Sequence, residues 1–136
     1  MPVLDSYLFF NGQCAEAMRF YERTLGGKLE AIMNYGDGPQ PQACPAGAEN
    51  LVMHACLDLD GRKLMASDAP ASHPAGAMAG CALSLNYGSA QDARRIFDAL
   101  SQGGTVTMPM QKTFWTEAFG MLTDRFGTAW MVGGGA

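Results

Sequence analysis

Short apolar runs and amphipathic stretches alternate along this chain, and they do so twice in the same order. Tyr7-Leu8-Phe9-Phe10 is an apolar run stopped by Asn11-Gly12, which predicts a buried strand. Cys14, Ala17, Met18, Tyr21 and Leu25 then recur at helical spacing, and Gly26-Gly27 supply the left-handed geometry that ends a helix. Residues 28–35, 51–59 and 62–67 read as three strands, the last two joined at Asp60-Gly61, a pair suited to a primed hairpin turn. The order restarts with a strand at 81–86. Ser89 caps the next helix with Asp92 at the reciprocal position, and Ala93, Ile96, Phe97 and Leu100 form its buried stripe before Gly103-Gly104. Strands follow at 105–108, 119–123 and 128–132.

The two halves match residue by residue. Laid over one another, Glu16 meets Asp92, Ala17 meets Ala93, Arg19 meets Arg95, Phe20-Tyr21 meet Ile96-Phe97, and Glu22 meets Asp98. A second echo sets residues 58–65, with Asp60-Gly61, against 124–131, with Phe126-Gly127. The expected organisation is one domain over 1–136, made of modules at about 1–68 and 80–136 with a Pro-containing connector at 69–79, because half of so short a chain buries too little surface to fold alone. Residues 36–47 read as a loop from their Gly and Pro content.

Composition narrows the function. With 136 residues, 48% hydrophobic, 16% charged and a net charge of -4, the chain is globular and ill suited to nucleic acid or anionic membrane surfaces. No apolar stretch reaches the ~20 residues needed to span a bilayer, and Met1-Pro2-Val3-Leu4-Asp5 does not resemble a secretory start, so the expected location is cytoplasmic. The four cysteines lack paired spacing; Cys14, Cys56 and Cys81 read as small core residues and Cys44 as an exposed thiol.

The tandem modules resemble the vicinal oxygen chelate superfamily, which includes glyoxalases, extradiol dioxygenases and bleomycin-binding resistance proteins. The resemblance rests on Phe20-Tyr21-Glu22 with Leu25-Gly26-Gly27, and on Thr123-Asp124-Arg125-Phe126-Gly127 with Trp130. Phe10-Asn11-Gly12-Gln13-Cys14, Met53-His54-Ala55, Met65-Ala66-Ser67-Asp68 and Thr113-Phe114-Trp115 with Phe119-Gly120 are similar to its PhnB-like branch, sometimes labelled as resembling a demethylubiquinone methyltransferase. The resemblance implies an α+β fold in which two tandem βαβββ modules form a curved mixed sheet around a central cavity, and it implies a homodimer. No Gly-x-Gly-x-x-Gly follows a strand to hold a nucleotide cofactor, so the methyltransferase label finds no support in these residues.

Enzymes of that superfamily hold a divalent metal on His and Glu side chains from the first and last strand of each module. Carried onto this chain, those positions fall on Leu4, Asp5 or Ser6, on Met65 or Ala66, on Gly80 or Cys81, and on Met131 or Val132. Only Asp5 and Cys81 among these are metal-binding types, and thioethers are soft ligands suited to copper(I). The expectation is therefore no metal, no cofactor, and no metal-dependent chemistry. A makeshift zinc site from His54, Cys56, Cys44 and His73 has none of the usual paired spacing.

His54 and Asp68 are the acid–base candidates, His54 because imidazole titrates near neutrality and Asp68 because a carboxylate at a strand end can take a proton. Each has a structural alternative: a hydrogen-bonded histidine at a sheet surface, and a cap on the turn after residue 67. Met65, Trp115, Phe119 and Met131 are the candidate ligand-binding residues, the methionines for their adaptability and the aromatic rings for a flat ligand. Trp130 alternates with Met131 and reads as core. Three functions stay open: metal-free small-molecule binding in the inter-module cavity, metal-independent catalysis by His54 or Asp68, and a homodimer whose cavity is vestigial.

Overall fold

The computed structural model describes residues 1–37, 47–70 and 72–135, and divides into two compact units, Met1–Gly76 and Ala77–Ala136. Cys44 lies outside the described residues.

The first unit runs β1 (Ser6–Phe10), α1 (Cys14–Leu25), β2 (Lys28–Asn34), a 3-10 turn (Tyr35–Asp37), β3 (Val52–Leu59) and β4 (Arg62–Asp68). Its sheet has the order β1-β4-β3-β2, with β1 parallel to β4 and the other pairs antiparallel. The helix packs on β2, β3 and β4, burying Cys14, Ala17, Met18 and Tyr21. The buried residues Leu8, Phe10, Ala55, Leu57, Leu64 and Ala66 alternate along their strands with more exposed ones, which marks the two faces of the sheet. α1 ends at Gly26, whose φ of 80° is left-handed. Asp60 (φ 54°) and Gly61 (φ 93°) both take positive φ, as the expected primed turn requires. The strand expected over 28–35 stops at Asn34, where pairing with β3 shifts register and the chain turns.

The second unit repeats the plan with β5 (Leu83–Tyr87), α2 (Ala90–Ser101), β6 (Thr105–Gln111), β7 (Ala118–Thr123) and β8 (Ala129–Gly134), in the order β5-β8-β7-β6. Ser89 Oγ accepts the Asp92 amide N–H at 3.1 Å, whereas the Asp92 carboxylate turns to Arg95 at 3.6 Å. β6 extends past the expected 108 and through Pro109, which falls where the pairing of this edge strand with β7 shifts register between Met108 and Gln111, a place where proline is tolerated. Trp130 is buried and donates Nε1–H to Asp124 Oδ2 at 2.8 Å. The Asp124 carboxylate also accepts the amides of Phe126 and Thr128, so one buried acid shapes the β7–β8 turn.

Hydrogen bonding among the described residues builds two four-stranded mixed sheets, one in each unit, which matches the tandem βαβββ plan that the resemblance implies. Two cysteines depart from expectation. β5 begins only at Leu83, where pairing with Trp130 starts, so Cys81 lies outside the strand and is exposed; Cys56 is half-buried on the sheet surface. No described helix is long and apolar enough to cross a membrane.

Candidate functional site

Each sheet has one face covered by its helix and one face without it. On the helix-free face of the first sheet, the ladder places Tyr7 beside Met65 and Met65 beside Cys56. In the second sheet the same row reads Ser84, Met131, Met121 and Met108. Met65 and Met131 thus occupy corresponding positions, each at the centre of its row. One step along, His54 pairs with Met33 in the first sheet, and Phe119 pairs with Gly133 in the second.

The first-strand residues standing beside the two methionines are Tyr7 and Ser84, further along the chain than Asp5 and Cys81. Asp5 instead precedes β1 and accepts the Lys63 amide at 3.1 Å. A divalent metal of the glyoxalase kind needs imidazole and carboxylate donors, and neither the thioether and phenol of the first sheet nor the thioether and hydroxyl of the second fits it. Among the described residues no three His, Cys, Asp or Glu side chains gather as a metal cluster.

His54 is half-buried, and its Nδ1 lies 3.2 Å from the Tyr7 hydroxyl, with the two rings 5.8 Å apart and tilted. Phe9 also packs on Tyr7, ring centroids 5.1 Å apart. Tyr7 and Phe9 remain 39% and 55% exposed, because β1 alternation buries Leu8 and Phe10 instead. Toward the hairpin the face becomes ionic: Lys63 Nζ sits 2.6 Å from Glu30 and 3.0 Å from Asp58, and these hydrogen bonds push the ammonium group's pKa up. Cys56 donates to Glu30 at 3.8 Å, and burial first, then the Glu30 charge, push its thiol upward.

Asp68 is buried at the end of β4 and faces inward. Its Oδ1 accepts the amides of Gly12 and Cys14 at 2.8 and 3.0 Å, and its Oδ2 accepts that of Val52 at 2.9 Å. The carboxylate therefore joins the start of α1 to the start of β3. His73 is exposed, with Nδ1 3.2 Å from Ser72 Oγ.

Trp115 lies in the β6–β7 loop, its ring edge-on to Phe114 at 4.8 Å and to Phe119 at 5.4 Å. Thr113 Oγ1 accepts the Thr116 amide at 3.2 Å, and Thr116 Oγ1 donates to Gly134 O at 2.8 Å, tying the loop to β8. Phe114 is 97% and Trp115 54% exposed.

Sequence reasoning missed Tyr7 and Phe9. In a run of four apolar residues alternation is invisible, and only pairing with β4 tells which two face the helix.

This arrangement matches known proteins throughout its length. The family model of the Glyoxalase/Bleomycin resistance protein/Dioxygenase superfamily covers residues 3–132, and the chain belongs to that superfamily. It is 36% identical to protein YjdN of Escherichia coli over 140 residues, spanning 97% of this chain and 94% of YjdN. The crystal structure of protein PA1353 from Pseudomonas aeruginosa superposes with a TM-score of 0.92 at 45% identity, covering 99% and 98% of the two chains. The PhnB protein from Bacillus cereus follows at 0.81 and 26%, covering 98% and 99%.

Proposed function

We propose that this protein binds a small, largely apolar molecule without a metal ion on the helix-free face of its first sheet, with Met65 among the contacts; the helix-free face of the second sheet, with Met131, Trp115 and Phe119, offers a candidate contact surface of its own. One observation carries the reading: the first sheet leaves Tyr7, Phe9 and Met33 substantially exposed around Met65, on the face no helix of its own unit covers. Large apolar side chains grouped on one exposed face mark a binding surface, and thioethers adapt their shape to varied ligands at small cost.

A thermal-shift screen of uncharged aromatic compounds tests it. A ligand present at about 100 times its Kd stabilises the fold by roughly 2.7 kcal/mol, a readily measured rise in Tm. The expected result is a set of stabilising compounds whose effect disappears in Met65→Glu, which places a charge at the centre of the apolar row. A screen without a stabilising compound, or stabilisation undiminished in Met65→Glu, overturns the reading.

A further inference from the structure

We infer that Tyr7 and His54 form a hydrogen-bond donor pair that selects planar apolar ligands carrying a neutral acceptor oxygen, such as an aryl ketone. The inference rests on the binding face proposed above and deepens it. Within that face, the Tyr7 hydroxyl and His54 Nδ1 lie 3.2 Å apart, and the residues around them are Phe9, Met33, Met65 and Cys56.

The donor character follows from counting protons. If Tyr7 donates to an unprotonated Nδ1, the neutral ring carries its hydrogen on Nε2, which is free to donate. If Nδ1–H donates to the Tyr7 oxygen, the phenolic O–H is free to donate instead. In the imidazolium state Nδ1–H must donate to Tyr7, leaving both Nε2–H and the phenolic O–H available. Every state of the pair therefore retains at least one donor that its partner does not use.

The charges nearby favour a neutral ligand over an anion. Lys63 is already engaged by Glu30 and Asp58, so the ionic end of the face adds two carboxylates against one ammonium. An acceptor oxygen on an uncharged body satisfies the free donor without meeting that excess, while a pure hydrocarbon leaves the donor desolvated and unpaired, at a cost. Phe119 occupies the corresponding position in the second sheet, so this polar feature belongs to the first sheet alone.

The test uses the intact chain labelled at its methionine methyl groups and two rigid molecules of nearly the same shape, 1-indanone and indane. Both are expected to shift the Met33 and Met65 methyl resonances, with 1-indanone binding about five-fold tighter, the size of one net hydrogen bond. In Tyr7→Phe/His54→Leu the preference falls to about one-fold while indane binding persists, and the buried Met18 methyl resonance reports that the core is intact. Should the double variant not fold, Tyr7→Phe alone is expected to cut the preference at least about two-fold, because it removes the partner that holds the ring. Equal affinity of the two compounds for the unaltered protein overturns the donor-pair inference and leaves the binding face standing. Absence of any shift with either compound overturns both. Methyl shifts that follow protein dilution instead of ligand assign the face to a second copy of the chain, and also overturn it.

Discussion

Asp68 and Val52 are sixteen positions apart, and the carboxylate Oδ2 of the first accepts the backbone N–H of the second at 2.9 Å inside the core. The other oxygen takes Gly12 and Cys14, so three amides from the β1–α1 junction and the start of β3 end on one side chain. β4 thereby holds the two segments on either side of it. A catalytic carboxylate must reach a substrate, whereas this one is turned to backbone.

Asp68→Ala leaves those three donors buried without an acceptor. The expected loss is about 3 kcal/mol or more, since charged hydrogen bonds contribute roughly 1.5–3 kcal/mol each and only part is recovered on relaxation. Asp68→Asn keeps one acceptor oxygen and is expected to lose less. Urea unfolding of the two variants measures both, and a change under about 0.5 kcal/mol in Asp68→Ala removes Asp68 from this role.

The two tryptophans are expected to report separately. Trp130 is buried with its indole bonded to Asp124, while Trp115 stands half in solvent on its loop. Trp115→Phe should abolish most of the acrylamide-quenchable emission and change stability by no more than about 0.5 kcal/mol. Trp130→Phe should keep that emission and lose about 1–3 kcal/mol, because it removes core volume and the buried indole N–H bond to Asp124. Equal quenching of both single-tryptophan variants contradicts the assignment.

Gly133 and Gly134 are neighbours on β8 that face opposite ways, and alanine separates them. A Cβ on Gly134 meets the Ser89 carbonyl oxygen, and the Ala93 Cβ at 2.7 Å, on the helix side. On Gly133 it comes no closer than 3.4 Å to Phe119 and 3.5 Å to Asn86 Oδ1. Gly134→Ala should cost about 1–3 kcal/mol by overpacking. Gly133→Ala should be neutral or stabilise by up to about 1 kcal/mol, as the unfolded chain loses freedom. Thermal unfolding that ranks the two variants the other way refutes the facing described for this strand.

The repeated plan was legible because its signals are local: the stripe from Cys14 to Leu25, the stop at Gly26, the Asp60-Gly61 turn and the Ser89 cap each act within a few residues of themselves. The candidate site was only half legible. Met65 and Met131 came from the family resemblance and stand at corresponding places after the two hairpins, but the residues beside them depend on which strand pairs with which. Tyr7 meets His54 across 47 positions, and Glu30 meets Lys63 across 33 where β2 slips its register, so neither pair leaves a trace in spacing. Cys81 looked like core because its neighbours are apolar, yet β5 starts two residues later. Asp68 carried a signal of its own as a strand-ending acid, without the identity of the amides it would bind.

The described cysteines should differ sharply in reactivity, and one of them ties stability to alkaline pH. Cys14 is fully buried at the start of α1, and burial, aided by the Asp68 charge, pushes its thiol up from 9.0 to about 12. A folded-state value above the unfolded one means that the fold holds the proton more tightly. Its contribution is therefore complete below about pH 9 and is lost as pH rises toward 12, where the unfolded thiol ionises first. The stability difference between the unaltered protein and Cys14→Ala should accordingly be constant from pH 6 to about 8 and shrink from about 9 upward. At pH 8, iodoacetamide followed peptide by peptide should label exposed Cys81 first and Cys56 more slowly, because Cys56 is half-buried with its thiolate disfavoured beside Glu30. Cys14 should react only after urea unfolding. Labelling of native Cys14 at the rate of Cys81, or a stability difference unchanged through pH 10, would show that its thiol is not held in the core.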